Sequence, residues 1–166
     1  NTNSTTNNPG NGVFGGNNND ITSTDSAGKN VIIGGEDNTL GGNQQNIIVG
    51  GLNNFTGNIR GGIFNGNNSS VTAGNATIVG TSTSTISGGS ITLIAGGKSN
   101  TITAGNRTAI LGGENNNVAH DRSVVIGGLN LSTTKADEVV VPSLVATDIT
   151  ASFASFSSAS IGSLRT

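Results

Sequence analysis

Runs of apolar β-formers, each followed by one or two glycines and an Asn-rich turn, recur along most of this chain. They read Val31-Ile32-Ile33-Gly34-Gly35, Ile47-Ile48-Val49-Gly50-Gly51, Thr77-Ile78-Val79-Gly80, Leu93-Ile94-Ala95-Gly96-Gly97, Ala109-Ile110-Leu111-Gly112-Gly113 and Val124-Val125-Ile126-Gly127-Gly128. A weaker copy, Ile63-Phe64-Asn65-Gly66, fills the one gap, and Val13-Phe14-Gly15-Gly16 opens the series upstream. Counting first glycines at 34, 50, 66, 80, 96, 112 and 127 gives steps of 16, 16, 14, 16, 16 and 15 residues. A repeat so short has no room for a helix pair or a propeller blade. It accommodates one coil of a β-solenoid. About eight coils stacked at the strand spacing make a rod roughly 40 Å long.

Each coil carries a second apolar station five or six residues after the first glycine: Leu40, Phe55, Val71, Ile86, Ile102 and Val118, with Ile21 upstream. Gly and Asn take positive φ most readily, so the Gly-Gly step reads as one corner and the Asn turn (Asn38, Asn54, Asn100, Asn116) as another. The two strands differ. The first is apolar on consecutive residues, and consecutive side chains point to opposite faces, so both its faces call for burial. The second alternates, as in Thr101-Ile102-Thr103, and buries one face only. A two-sheet roll has a single interior and would leave the first strand's other face wet as a long apolar stripe. Identical copies in a closed ring would cover it. A monomer capped by its own tail is the alternative, and that tail is too short to reach every coil.

Composition agrees with a rod better than with a compact domain. The chain has 166 residues, 27 Gly, five Phe, no Trp, Tyr, Met or Cys, and 10% charged residues. Large aromatics are nearly missing, so an ordinary globular core is not expected. The formal charge is −2 and the basic residues do not cluster in the sequence, which argues against nucleic acid as a partner. No stretch approaches the ~18 continuous apolar residues of a membrane span, so membrane insertion is not expected either.

The repeat pattern ends near Leu131. Three regions are expected: a polar lead-in over residues 1–12, a β-roll repeat domain over 13–134, and a C-terminal extended, intertwined segment over 135–166. In the last, Ile149, Phe153 and Phe156 fit a helical spacing, but Ser and Thr dominate and helix-favouring Glu, Lys and Gln are missing, so extended β structure is favoured.

Candidate chemistry is sparse. The only histidine, His120, sits in Val118-Ala119-His120-Asp121-Arg122, and one His with one Asp is a poor ligand or catalytic set. Glycan cleavage needs two carboxylates within ~5–9.5 Å. Glu36 and Glu114 occupy equivalent places five coils apart, over 20 Å at ~4.8 Å per coil, while Asp20, Glu36 and Asp37 are read as solvated turn residues. Most coils lack the carboxylate a calcium roll needs. Thr81-Ser82-Thr83-Ser84-Thr85 gives a threonine array in one coil only, too few for an ice-binding face. No catalysis and no cofactor is expected. The variable third position of each corner is taken to point outward, which makes Glu36, Lys98 and Glu114 the candidate contact residues.

The coil openings Asn30-Val31-Ile32-Ile33-Gly34-Gly35 and Ser123-Val124-Val125-Ile126-Gly127-Gly128 resemble the head repeats of trimeric autotransporter adhesins and the related repeats of viral and bacteriophage fibres. Asp137-Glu138-Val139-Val140-Val141-Pro142-Ser143-Leu144 looks like the strand that follows such repeats in phage structural proteins. The resemblance implies an all-β, left-handed parallel β-roll of 14–16-residue two-strand coils, homotrimeric, with a β-rich C-terminal extension. It implies a structural or attachment fibre component of a virion, with sister copies, other virion proteins and a host surface glycan or receptor as partners. A bacterial surface adhesin head and a glycan-cleaving tailspike are the alternatives it leaves open.

Overall fold

The computed structural model describes residues 3–5, 9–23, 28–42, 44–57 and 60–145. The reading of Ile149, Phe153 and Phe156 lies outside the described residues. Within them the chain forms a parallel β-solenoid of about eight turns, all-β, with every strand pairing parallel to its equivalent one coil away.

Two sheets run the length of the rod. One, the broad sheet, has nine strands of up to six residues, running from Gly12–Phe14 at one end to Val139–Val140 at the other. The other, the narrow sheet, has eight strands of two residues each, from Ser4–Thr5 to Asn117–Val118. A third ladder of single-residue bridges joins Asn17, Glu36, Leu52, Asn67, Ser82, Lys98, Glu114 and Leu129 along the connection between the sheets.

Parallel pairing stacks like on like, and this builds the core. The broad sheet contributes Ile32, Ile48, Ile63, Ile78, Ile94, Ile110 and Val125, all fully buried, one per coil. The narrow sheet answers with Ile21, Leu40, Val71, Ile86, Ile102 and Val118, also fully buried. Burying each such side chain contributes about 1.5–3 kcal/mol. Because the strands alternate, the residues flanking each inner isoleucine of the broad sheet point out, as three consecutive apolar residues require.

Two details of the repeat differ from the sequence reading. The register aligns Thr39 with Phe55 and Leu40 with Thr56. Thr56, not Phe55, therefore fills the inner slot, and Phe55 lies outside, 38% exposed. Period-2 alternation decides the face, whatever the residue's hydrophobicity. Its ring lies beside Gly57, where an added Cβ would come within 2.7 Å of it. The second detail concerns Gly66. The Asn65 amide donates to the Val49 carbonyl as the Gly50 amide donates to that of Ile33. Asn65 thus takes the first-glycine place and Gly66 the second, so the apparent 14-residue step disappears and the coils there run 15 residues.

The paired glycines do different work. Gly34, Gly50, Gly96, Gly112 and Gly127 have φ of 64–78° and open space around the missing Cβ, so a residue that tolerates left-handed backbone suffices, as Asn65 shows at φ 52°. At Gly97 φ is 87° and a Cβ would lie 2.2 Å from the Gly113 carbonyl oxygen of the next coil. No side chain fits there.

The buried asparagines do not make the turn; the preceding residue does. Asp37, Asn53, Ser99 and Asn115 adopt φ of 52–55°. Asn38, Asn54, Asn100 and Asn116 instead turn inward and are buried. Asn54 shows the pattern. Its Nδ2 donates to Asn38 Oδ1 at 2.9 Å and to the Gly66 carbonyl at 2.8 Å, and its Oδ1 accepts from the Ser69 amide at 3.1 Å. The Asn38 and Asn54 side chains so link three coils and those of Asn100 and Asn116 two, satisfying corner amides and carbonyls that the sheets do not reach. Asn30 and Asn46 form a second, shorter ladder, in which Asn46 Oδ1 accepts from the Gly61 amide at 2.7 Å.

Candidate interaction surfaces

The closed interior leaves four outward surfaces. The first is the outer face of the broad sheet, made of two columns. One runs Gly12, Val31, Ile47, Gly62, Thr77, Leu93, Ala109, Val124 and Val139; the other runs Phe14, Ile33, Val49, Phe64, Val79, Ala95, Leu111 and Ile126. Nearly every position is apolar. Phe14 is 64% exposed, and Ile33, Phe64, Val79, Leu111 and Ile126 are each exposed by more than a third. Scattered exposed apolar residues are ordinary, but a continuous two-column stripe over eight rungs, roughly 35–40 Å at the strand spacing, is not.

The second surface, the outer face of the narrow sheet, is its opposite in character. Its columns hold Asp20, Thr39, Ser70, Thr85, Thr101 and Asn117, then Thr22, Thr72, Ser87 and Thr103. Phe55 is the one aromatic interruption.

The third is the corner ladder that carries the candidate contact residues. Glu36, Lys98 and Glu114 are all exposed and all lie on the single-residue bridge ladder. Lys98 Nζ reaches Glu114 Oε1 at 3.4 Å on the next rung, and Glu36 Oε1 accepts from Asn17 Nδ2 at 3.4 Å. Glu36 stands four rungs from Lys98, about 19 Å at the strand spacing. The structure therefore brings two of the three together and keeps the third apart. An exposed pair of this kind contributes only about 0–1 kcal/mol. Asp37 sits beside Glu36 and accepts from Asn18 Nδ2 at 2.6 Å; Asp20 lies on a different ladder, hydrogen-bonded by the Ser4 hydroxyl.

The fourth surface is absent from the sequence reading. The residues two places ahead of the first apolar column stack along the opposite edge of the broad face: Lys29, Gln45, Arg60, Asn75, Ile91, Arg107, Arg122 and Asp137. Most are in left-handed backbone, Arg60, Arg107 and Arg122 at φ of 59°, 58° and 53°. Arg60 Nε donates to Gln45 Oε1 at 3.0 Å; Arg122 donates from Nε at 2.6 Å and from the guanidinium tip at 2.8 Å to the two Asp137 carboxylate oxygens. That two-pronged hydrogen bond holds the Asp137 carboxyl below its ordinary range and raises the already high Arg122. Glu138 is likewise held low, chiefly by the Thr134 amide. Ile91 is 62% exposed at φ 60°, a conformation costing a β-branched residue about 1–2 kcal/mol. Beside it, Ser90, Asn106, Arg107 and Asp121 line a small open cleft of about 180 Å³. The signal in the sequence is the constant offset, two residues before each outward apolar position; seen linearly, the four cations are scattered.

His120 Nδ1 is 3.0 Å from Thr133 Oγ1. Among the described residues no three of His, Cys, Asp or Glu gather closely enough to hold a metal, and no helix is long and apolar enough to cross a membrane. The chain matches no protein-family model, no curated protein and no solved structure.

Proposed function

We propose that this chain is a non-catalytic rod segment that assembles from copies of itself through the broad outer face and serves as a structural and attachment spacer in a virion fibre. The observation that carries this reading is the two-column apolar stripe. The solenoid's interior is already filled by one column from each sheet, so folding of one chain gives the stripe nothing to bury against. Three copies, the number the head-repeat resemblance implies, would enclose the stripes around a shared axis and leave three narrow faces outside. Host glycan or receptor contact falls in this reading to the exposed corner residues Glu36, Lys98 and Glu114, with other virion proteins at the rod's ends. The mechanism is mechanical: backbone ladders, Asn ladders and a dry axis make a stiff, protease-resistant post.

Native mass measurement tests the assembly. Three copies of 16.4 kDa give about 49 kDa. Val79→Lys with Leu111→Lys, on the stripe, should reduce the mass to one copy, whereas Thr85→Lys with Thr101→Lys, on the narrow face, should leave it unchanged. A folded monomer of the unaltered chain overturns the reading.

A further inference from the structure

We infer that the Phe55 ring is a binding platform for the C–H face of a neutral sugar ring. It is set in the hydroxyl-rich narrow face, on the other sheet from the apolar stripe and apart from the corner of Glu36, Lys98 and Glu114. The inference therefore goes beyond the proposed function and does not rest on it.

The coil that carries Phe55 reverses a rule its neighbours keep. In the adjoining narrow strands the inner residue is aliphatic, Leu40 on one side and Val71 on the other, and the outer residue is Thr39 or Ser70. Here the aromatic points out, and Thr56 points in with its hydroxyl buried and unpartnered. An exposed phenyl forgoes burial and an orphaned hydroxyl forgoes its hydrogen bond, so neither half of the exchange serves the fold. A local rule broken at no gain to the fold marks a place to look for function.

Two glycines are fitted to the ring. Gly41 and Gly57 stand in the second outward column of the narrow face, which otherwise carries Thr22, Thr72, Ser87 and Thr103. Neither is in left-handed backbone, so no turn demands glycine there. The ring does. An added Cβ would come within 2.7 Å of its Cε1 at Gly57 and within 3.4 Å of its Cε2 at Gly41. These glycines lie on adjacent strands, so the ring's width runs across the strands while its length runs along its own. The ring is thus laid in the plane of the sheet, whereas strand side chains ordinarily stand up from it. One face covers the two glycines and the other meets solvent. Phe14 and Phe64 on the broad face also lean over glycines, Gly12 and Gly62, but among aliphatic neighbours. Phe55 stands among hydroxyls: Thr39 and Ser70 flank it in its own column, and Thr22 and Thr72 bound the other. They rim a window roughly 14 Å tall at the strand spacing.

A pyranose is the complement of this surface. One of its faces is a patch of weakly positive C–H groups, suited to the negative face of an aromatic ring, and its rim of hydroxyls both donates and accepts hydrogen bonds, as threonine does. The charge in these two columns nearest to the ring is Asp20, two rungs away, which makes the ligand a neutral one. One ring already covered on one side is too little apolar surface to hold a protein partner.

NMR on the whole chain tests this, with phenylalanine rings and backbone amides labelled; only five phenylalanines contribute ring signals. The probes are methyl β-galactopyranoside, methyl β-glucopyranoside and methyl α-mannopyranoside, each titrated through the millimolar range. At least one should saturably shift the Phe55 ring signals and the Thr39 and Thr72 amides, leaving the Phe14 and Phe64 rings in place. Phe55→Ala should weaken that binding, read at the two amides, by about tenfold or more. Gly57→Thr, which gives this position the residue its column carries at Thr72, should weaken it too by lifting the ring off the sheet. Thr56→Val leaves the platform intact and should bind as the unaltered chain does, which separates binding from stability. No shift at Phe55 with any of the three glycosides overturns the inference, as does a response that survives Phe55→Ala. A native mass that rises with concentration and is brought down by Phe55→Ala assigns the platform to a second copy and overturns it as well.

Discussion

The two sheets of this solenoid are built alike on the inside and oppositely on the outside. Each supplies one fully buried aliphatic column to a common interior, with Ile94 and Ile102 facing one another's sheets in adjacent stretches of the same coil. Outward, the broad sheet shows Leu93 and Ala95 where the narrow sheet shows Thr101 and Thr103. The interior fixes the fold and the exterior fixes what the fold meets.

The largest expected effect tests whether the interior columns are equivalent. Ile94→Ala and Ile102→Ala should each cost about 2–5 kcal/mol in chemical denaturation. A much larger loss for Ile94→Ala than for Ile102→Ala would mean that the broad sheet's inner column also supports the proposed self-assembly. Next comes the connection between the sheets. Asn54→Ala leaves the Ser69 amide without its acceptor and removes one of two donors from the Gly66 carbonyl, which keeps the Leu52 amide, and from Asn38 Oδ1, which keeps the residue-54 amide, for about 1–3 kcal/mol. Asn54→Asp should recover little, since it keeps the acceptor for Ser69 and loses both donations.

A smaller effect of opposite sign lies at Thr56, a buried polar residue in the narrow sheet's inner column. Thr56 is fully buried with no hydrogen-bond partner for its hydroxyl. Thr56→Val, which keeps the shape and removes the hydroxyl, should stabilise the protein by about 1 kcal/mol, read as a raised melting temperature. A lowered one would show that the hydroxyl has a partner after all.

The smallest effect concerns the rung Val139–Val140, which extends the broad sheet past the last narrow strand. Asp137 and Glu138, both held below their ordinary ranges, anchor it. A carboxylate whose folded pKa is depressed stabilises above its unfolded value, near 4, and loses that contribution as pH falls through the lower folded value. Protection from hydrogen exchange at Val139 and Val140, relative to the intrinsic rate at each pH, should therefore fall below about pH 4, with that of Ile94 unaffected. The Asp137→Asn variant should lose most of that pH response, and added salt should blunt it because the groups are exposed.

Much of this architecture was legible in the residues, and the exceptions are instructive. Three consecutive apolar residues at Val31-Ile32-Ile33 announced a strand with two apolar faces, and the structure has Ile32 inside with Ile33 out. Hydrophobicity points to Phe55 as the inner residue, whereas register picks the face and puts Thr56 there. Gly66 stands in the second-glycine place, because left-handed backbone is the requirement at the first and Asn65 meets it. Glu36, Lys98 and Glu114 are exposed. The basic edge went unseen because Lys29, Arg60, Arg107 and Arg122 lie 15–47 residues apart in the chain and meet only when coils stack.

By itself the sequence determined the period, the two-strand coil and the apolar pattern on both sides of one strand, since these follow from short-range rules of alternation and turn chemistry. Only the tertiary structure decided which asparagines turn inward, which of Phe55 and Thr56 is buried, and which charges share an edge. Those depend on the register between neighbouring coils, and a shift of one residue exchanges inside for outside along an entire strand.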